Sequence, residues 1–267
     1  MHITKMEGLG NDYFYFFGEV PVNVRELAVR LSDRHRGIGS DGLIYILDSD
    51  CADFRMRIFN ADGSEAKMCG NGIRCVGKYV YEKHLTRKEE LAIETNSGIR
   101  TLKLSVHNGI VTSVLADMGI GSVTKTVPVT WQGKTYTAVC ADVGNPHMVL
   151  FVTEEELSLV HTLGPVLEHH AAFPDGVNVE FVCVESPASL RMRVWERGSG
   201  ITMACGTGAC ASAAAAVHAG FCQAGAPAAL KLDGGVLEIT VEENGRIFMR
   251  GPACFAFEGE VEMGERQ

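Results

Sequence analysis

The sequence predicts an α+β fold of two homologous, pseudo-symmetric halves, each a strand-rich, barrel-like sheet around a central helix. Three observations predict it. The chain repeats itself at a nearly constant offset, each copy carries short Val-, Ile- and Phe-rich runs bounded by turn residues, and each copy sets a thiol directly before a glycine-rich turn that opens a helix.

The repeat sets the architecture. FRMRIFN at 54–60 matches LRMRVWE at 190–196, and CGNG at 69–72 matches CGTG at 205–208, both pairs 136 residues apart (190 against 54, 205 against 69). Earlier segments match at an offset of 134: Gly10-Asn11 with Gly144-Asn145, and SDGLIYI at 40–46 with PDGVNVEF at 174–181. Each match is weak, but together they keep one order and one spacing. The halves are therefore 1–117 and 118–267, with the tail after about residue 250 free to pack back on the N-terminal half.

The elements follow in chain order. Tyr13 to Phe17, Leu43 to Leu47 and Phe54 to Phe59 in the first half, then Met148 to Val152, Val177 to Val184 and Leu190 to Trp195 in the second, read as strands between Gly, Asp, Asn and Pro. An amphipathic helix is expected over Val24 to Arg34, with a counterpart around Glu154 to His170 that Gly164-Pro165 should break. A second helix type follows each thiol motif, over Gly72 to Lys83 and Gly208 to Gly220. The latter contains ACASAAAAV, small residues all round, which suits a helix buried on every side.

Composition narrows the function. The 267 residues are 46% hydrophobic, enough for two ordinary cores. The formal net charge is -9 and the basic residues are scattered, which argues against a nucleic-acid partner. The N-terminus lacks a basic n-region and an apolar h-region, and no apolar run approaches a membrane span, so a cytoplasmic protein with no membrane partner is expected. Nine cysteines, an odd number in a long chain without an export signal, are expected to be reduced. No dinucleotide fingerprint or P-loop is present.

The thiol turns carry the chemistry. A strand end, a Gly-x-Gly turn and a helix start present free backbone N–H groups and the positive end of the helix dipole, which is a site for an anion such as a carboxylate. A cysteine there is expected to have its thiolate stabilised by the same field. Two such elements facing each other across a pseudo-two-fold would put a sulfur on each side of a bound carbon acid, the geometry of two-base stereoinversion. Cys75 and Cys210, six and five residues beyond the first thiols, do not share a helix face with them and read as packing. Zinc is disfavoured because those spacings lie at or beyond the edge of usual ligand spacing and the second thiols fall inside helices. A thiol-disulfide switch or ligand-binding module is the alternative from a different class.

These residues resemble the diaminopimelate epimerase family, within the cofactor-independent amino-acid racemases that include proline racemase. The resemblance covers nearly the whole chain and rests on GLGNDY at 8–13, RHRGIGSDGL at 34–43, FNADGSEAKMCGNGIRC at 59–75, GNPH at 144–147, GVN at 176–178 and ERGSGITMACGTGAC at 196–210. It implies interconversion of LL- and meso-diaminopimelate, on the way to lysine and peptidoglycan, with no cofactor and no metal. By motif it implies Cys69 and Cys205 as the acid/base pair. It implies substrate contacts at Asn11, Asn60, Gly70, Asn71, Asn145, Asn178, Glu196, Arg197, Gly206 and Thr207, with His147 and Glu196 tuning the thiols. Proline-racemase-like activity is the near alternative. Two positions depart from many family members: Ile201 stands where they carry Glu, and Gly42 where some carry Gln. Phe257 aligns with an aromatic at the family's dimer interface and implies a homodimer. Neither the motifs nor the spacing say which thiol is ionised at rest.

Overall fold

The computed structural model describes residues 1–262, and the chain divides into two compact units. The first spans Met1–Ala116 together with residues 252–262, and the second spans Asp117–Gly251. The sequence reading put 118–267 together but left the tail after about residue 250 free to pack back on the first half, and the segment from Pro252 lies in the first unit. The segment after Pro252 forms a strand that runs antiparallel to the chain's first strand.

In the first unit the elements are β1 (His2–Gly8), β2 (Asn11–Phe17), α1 (Val24–Ser32), β3 (Gly42–Leu47), β4 (Phe54–Asn60), β5 (Glu65–Ala66), α2 (Gly70–Glu82), β6 (Glu90–Thr95), β7 (Gly98–His107) and β8 (Ile110–Ile120), whose last residues enter the second unit. In the second unit they are β9 (Ser122–Trp131), β10 (Lys134–Asp142), β11 (Pro146–Phe151), a 3₁₀ segment (Glu155–His161), α3 (Gly164–Leu167), β12 (Asn178–Ser186), β13 (Ser189–Glu196), β14 (Gly200–Ile201), α4 (Gly206–His218), β15 (Pro227–Leu232), β16 (Gly235–Val241) and β17 (Arg246–Gly251). The returning strand is β18 (Cys254–Glu260).

The pairings repeat. In the first unit the neighbours run β18, β1, β2, β3, β4, β6, β7, β8, with β2/β3 and β4/β6 parallel and the other pairs antiparallel. In the second they run β9, β10, β11, β12, β13, β15, β16, β17, with β11/β12 and β13/β15 parallel and the rest antiparallel. Each strand of one series has its counterpart in the other, so β18 takes beside β1 the place that β9 takes beside β10. Both parallel steps need a crossover, and these are filled by a flanking helical segment and by the central helix.

Each central helix is enclosed. α4 packs against all eight strands of its series, and its Ala-rich surface lets them approach on every side. α2 is buried from Gly70 to Val80. On the outer face of each sheet lies a second layer: Val24, Ala28 and Leu31 of α1 pack with Phe14, Leu43 and Phe59, and Leu157, Val160, Leu163 and Leu167 pack with Met148, Leu150, Val179 and Phe181.

Two expectations are corrected in detail. The segment expected as one broken helix over Glu154 to His170 is a 3₁₀ turn followed by the short α3, and Pro165 starts α3 rather than interrupting a helix, since proline is well suited to a first turn where its missing N–H is not needed. Both central helices begin two residues before the expected Gly72 and Gly208, because each cysteine is itself the N-cap.

Candidate active site

In each unit the strand ahead of the thiol ends in a short pairing, β5 on β4 and β14 on β13, which turns the chain back toward the central helix. Cys69 caps α2 with extended backbone, and its sulfur accepts the Gly72 amide at 3.3 Å. Cys205 caps α4 in the same way, its sulfur accepting the Gly208 amide at 3.3 Å. Sulfur is a weak acceptor and a poor cap compared with Ser or Asp, so this repeated choice is not explained by helix stability.

Glycine at the third helical position is required by crowding from the neighbouring strand. A Cβ on Gly72 would lie 2.6 Å from Ile44 Cδ1, and one on Gly208 would lie 2.7 Å from Glu180 Oε1. Ile44 and Glu180 are structural equivalents. In the parallel pairs Tyr13 stands opposite Gly42 and His147 opposite Asn178, and two residues further along come Ile44 and Glu180. An apolar methyl therefore lies under the first thiol turn and a carboxylate under the second.

The first turn gathers Asn11, Cys69, Gly70 and Asn71. The Cys69 thiol donates to Asn11 Oδ1 at 3.3 Å, Asn71 Nδ2 donates to the same oxygen at 3.4 Å, and Asn11 Nδ2 donates to Asp41 Oδ2 at 2.5 Å. Burial pushes the Cys69 thiol up, and the Gly72 amide, the Tyr13 hydroxyl, the Asn71 amide and the Arg74 guanidinium draw it back. Asn60 is not bonded to this group. It ends β4 opposite Gly42 and donates to Ser64 Oγ at 3.0 Å. Gly42 has φ +152°, and a Cβ there would come within 2.1 Å of the Phe59 carbonyl, so this backbone has no room for a side chain.

The second turn gathers His147, Asn145, Asn178, Glu196, Cys205, Gly206 and Thr207. Burial pushes the Cys205 thiol well above its ordinary range, and the carboxylates of Glu196 and Glu180 push it further, while the Thr207 hydroxyl and Gly208 amide oppose them. The Glu196 carboxyl is itself raised, by burial first and by Glu180, against hydrogen bonds from Thr202 and Cys205 and the charge of His147. Asn178 accepts the Arg197 backbone amide at 3.0 Å and donates to the Pro146 carbonyl at 3.2 Å, which ties the two strand ends together. The Arg197 side chain is exposed, packs over Gly176 and donates to the Asp175 carbonyl at 3.2 Å. Ile201, on β14, is exposed.

The backbone amide at each helix start favours the thiolate, but burial outweighs it and both thiols are raised, which makes each thiolate, once formed, the more basic. The ring nitrogens of His147 meet Glu180 Oε1 at 2.7 Å and Asn145 Oδ1 at 3.0 Å.

Four residues at the site were not singled out by sequence: Tyr13, Asp41, Arg74 and Glu180. Tyr13 is buried beside Cys69, and fully buried Arg74 donates to Asn71 Oδ1 at 3.1 Å, to the Gly70 carbonyl at 3.2 Å and to the Pro252 carbonyl at 3.1 Å. A signal existed for Glu180, a lone acid inside the apolar run VNVEFVCV. Among the described residues no cluster of three or more His, Cys, Asp or Glu is arranged to hold a metal ion, and no helix is long and apolar enough to cross a membrane.

Paired thiol turns on duplicated units are matched by a known family across most of this sequence. Its description is diaminopimelate epimerase, and it matches residues 3–123 and 139–256. The chain belongs to the diaminopimelate epimerase family. Among curated relatives, the diaminopimelate epimerase of Acetivibrio thermocellus is 47% identical over 99% of this chain and 100% of its own length. That of Bacteroides thetaiotaomicron is 52% identical over 97% of each chain. Among solved structures, a PhzF-family phenazine biosynthesis protein of Bacillus anthracis aligns with a TM-score of 0.79 at 17% identity, covering 98% of this chain and 99% of its own. A probable proline racemase of Agrobacterium radiobacter aligns with a TM-score of 0.74 at 17% identity, covering 98% and 93%. At that identity the two structures share the fold.

Proposed function

We propose that this chain interconverts LL- and meso-diaminopimelate by two-base proton transfer, without a cofactor, in the supply of lysine and peptidoglycan precursors. The observation that carries the mechanism is the repeated cap: one cysteine at the N-terminus of each buried central helix, each sulfur holding the amide three residues on. One sulfur, as thiolate, takes the α-proton, and the other, as thiol, returns a proton to the opposite face. The first amides of α2 and α4, at Gly70, Asn71, Gly206 and Thr207, lack intrahelical acceptors by helix geometry and suit the substrate carboxylate, on which charge grows as the carbanion forms.

Burial of Cys205 and partial burial of Cys69 support this reading, since a thiolate poor in water-like solvation is a stronger base toward a carbon acid. Asn11, Asn60, Asn145 and Asn178 offer amide contacts without adding charge, and Arg197 offers a fork for the distal carboxylate. Glu196 adds charge beside Cys205 and favours its protonated form. The proposal extends to a cytoplasmic homodimer, for which exposed Phe257 on β18 is the supporting residue.

The substrate test compares purified protein on LL-diaminopimelate, meso-diaminopimelate and both enantiomers of proline, with products resolved by chiral chromatography. The expected result is conversion between the two diaminopimelate isomers and no racemisation of proline. Racemised proline with untouched diaminopimelate would assign the fold to the other substrate class.

A further inference from the structure

Glu180 and His147 are both fully buried, with a 2.7 Å contact between Glu180 Oε1 and His147 Nδ1. The second carboxylate oxygen, Glu180 Oε2, is buried without a hydrogen-bond partner. A carboxylate buried in this way is costly unless a cation faces it. The other ring nitrogen, His147 Nε2, meets another acceptor, Asn145 Oδ1, at 3.0 Å. An imidazole with an oxygen acceptor at each nitrogen satisfies both bonds only when both nitrogens carry protons.

We infer that Glu180 is a positioning residue: it holds His147 as an imidazolium whose Nε2–H pins the amide oxygen of Asn145, so that Asn145 turns its NH₂ donors to the substrate. Without a proton on Nε2, Asn145 would turn its NH₂ toward the ring and its oxygen toward the ligand, the wrong polarity for a carboxylate. The first unit marks the device as specific to the second. There Tyr13 stands in the place of His147 and Ile44 in the place of Glu180, and Asn11 takes its orientation from Asp41 instead.

The inference rests on the proposed substrate contact of Asn145, and two readouts separate it from that proposal. In protein labelled with ¹⁵N-histidine, with His147→Asn used for assignment, both ring nitrogens of His147 are expected to be protonated at neutral pH and to lose one proton in Glu180→Gln. An unprotonated Nε2 in the unmodified protein overturns the relay whether or not the protein is active. In steady-state kinetics Glu180→Gln is expected to raise KM for diaminopimelate about tenfold with a smaller change in kcat, the loss of one charge-assisted hydrogen bond made in the bound state, and Glu180→Asp to recover part of it. An unchanged KM in folded Glu180→Gln overturns the positioning role. If Glu180→Gln does not fold, the ring-nitrogen measurement on the unmodified protein still decides. Failure of the unmodified protein to epimerise diaminopimelate would instead count against the substrate reading and leave the nitrogen measurement intact.

Discussion

The two thiol turns share a backbone and differ in what surrounds the sulfur. Around Cys69 lie an amide oxygen, a tyrosine hydroxyl, an arginine and the methyl of Ile44. Around Cys205 lie two carboxylates and a threonine hydroxyl. Burial raises both sulfurs, and the carboxylates of Glu196 and Glu180 press the second further. The two caps are alike in backbone, and the neighbouring strands set Ile44 beside one and Glu180 beside the other.

Removing either sulfur should have the greatest consequence. Cys69→Ala and Cys205→Ala are each expected to lower kcat for stereoconversion by at least about 10²-fold, the ordinary contribution of a positioned acid or base. A variant that keeps near-normal kcat would show that its turn only binds.

The contrast under the turns is sharpened by alanine at the two glycines. Gly208→Ala drives a methyl against Glu180 Oε1 and the Cys205 sulfur and strains a buried pair, whereas Gly72→Ala meets chiefly the end of Ile44. Urea unfolding should show a loss of about 3 kcal/mol or more for the first and about 1–2 kcal/mol for the second, after the helix-propensity gain of alanine. Equal losses would mean that the carboxylate and the methyl yield alike.

Alkylation by iodoacetamide, followed site by site by mass spectrometry against pH, reads the thiols directly. Because the midpoint is independent of access while the plateau is not, the Cys205 midpoint should lie above that of Cys69. A carboxylate disfavours the nearby thiolate, so Glu196→Gln should move the Cys205 midpoint to lower pH and leave that of Cys69 in place. A midpoint unmoved in the variant would leave burial and Glu180 as the causes.

The smallest effect tests the duplication itself. α4 is followed by Gly220 at φ +77° and α2 by His84 at φ +59°, equivalent positions by the 136-residue offset (220 against 84). His84→Gly relieves a left-handed side chain and should stabilise the protein by about 0.5–1 kcal/mol. No gain would show that packing around His84 offsets the strain.

Much of this was legible in the sequence, and the reasons are local. The six strands expected from apolar runs lie where β2, β3, β4, β11, β12 and β13 form, because these are the most buried strands and leave continuous Val, Ile and Phe signals. The strands from 90 to 142 and from 227 to 260 were not read. They face solvent on one side and alternate weakly, although Asn108-Gly109 and Gln132-Gly133, both with positive φ, mark their hairpins. The thiol turns stood out because cysteine and glycine recur together at one offset. Glu180 did not, since a single acid within a strand carries no motif, and its meaning comes only from the histidine 33 positions earlier that the parallel pairing brings beside it.

The most direct measurement follows α-deuterium and stereochemistry together. LL-diaminopimelate is incubated in deuterated water with the unmodified protein, with Cys69→Ala and with Cys205→Ala, all under reducing conditions. Two-base transfer requires that the unmodified protein yield meso product carrying solvent deuterium at the inverted carbon and that both variants yield none. Product formed without solvent deuterium, or inversion sustained by either variant, would contradict proton transfer between two cysteines.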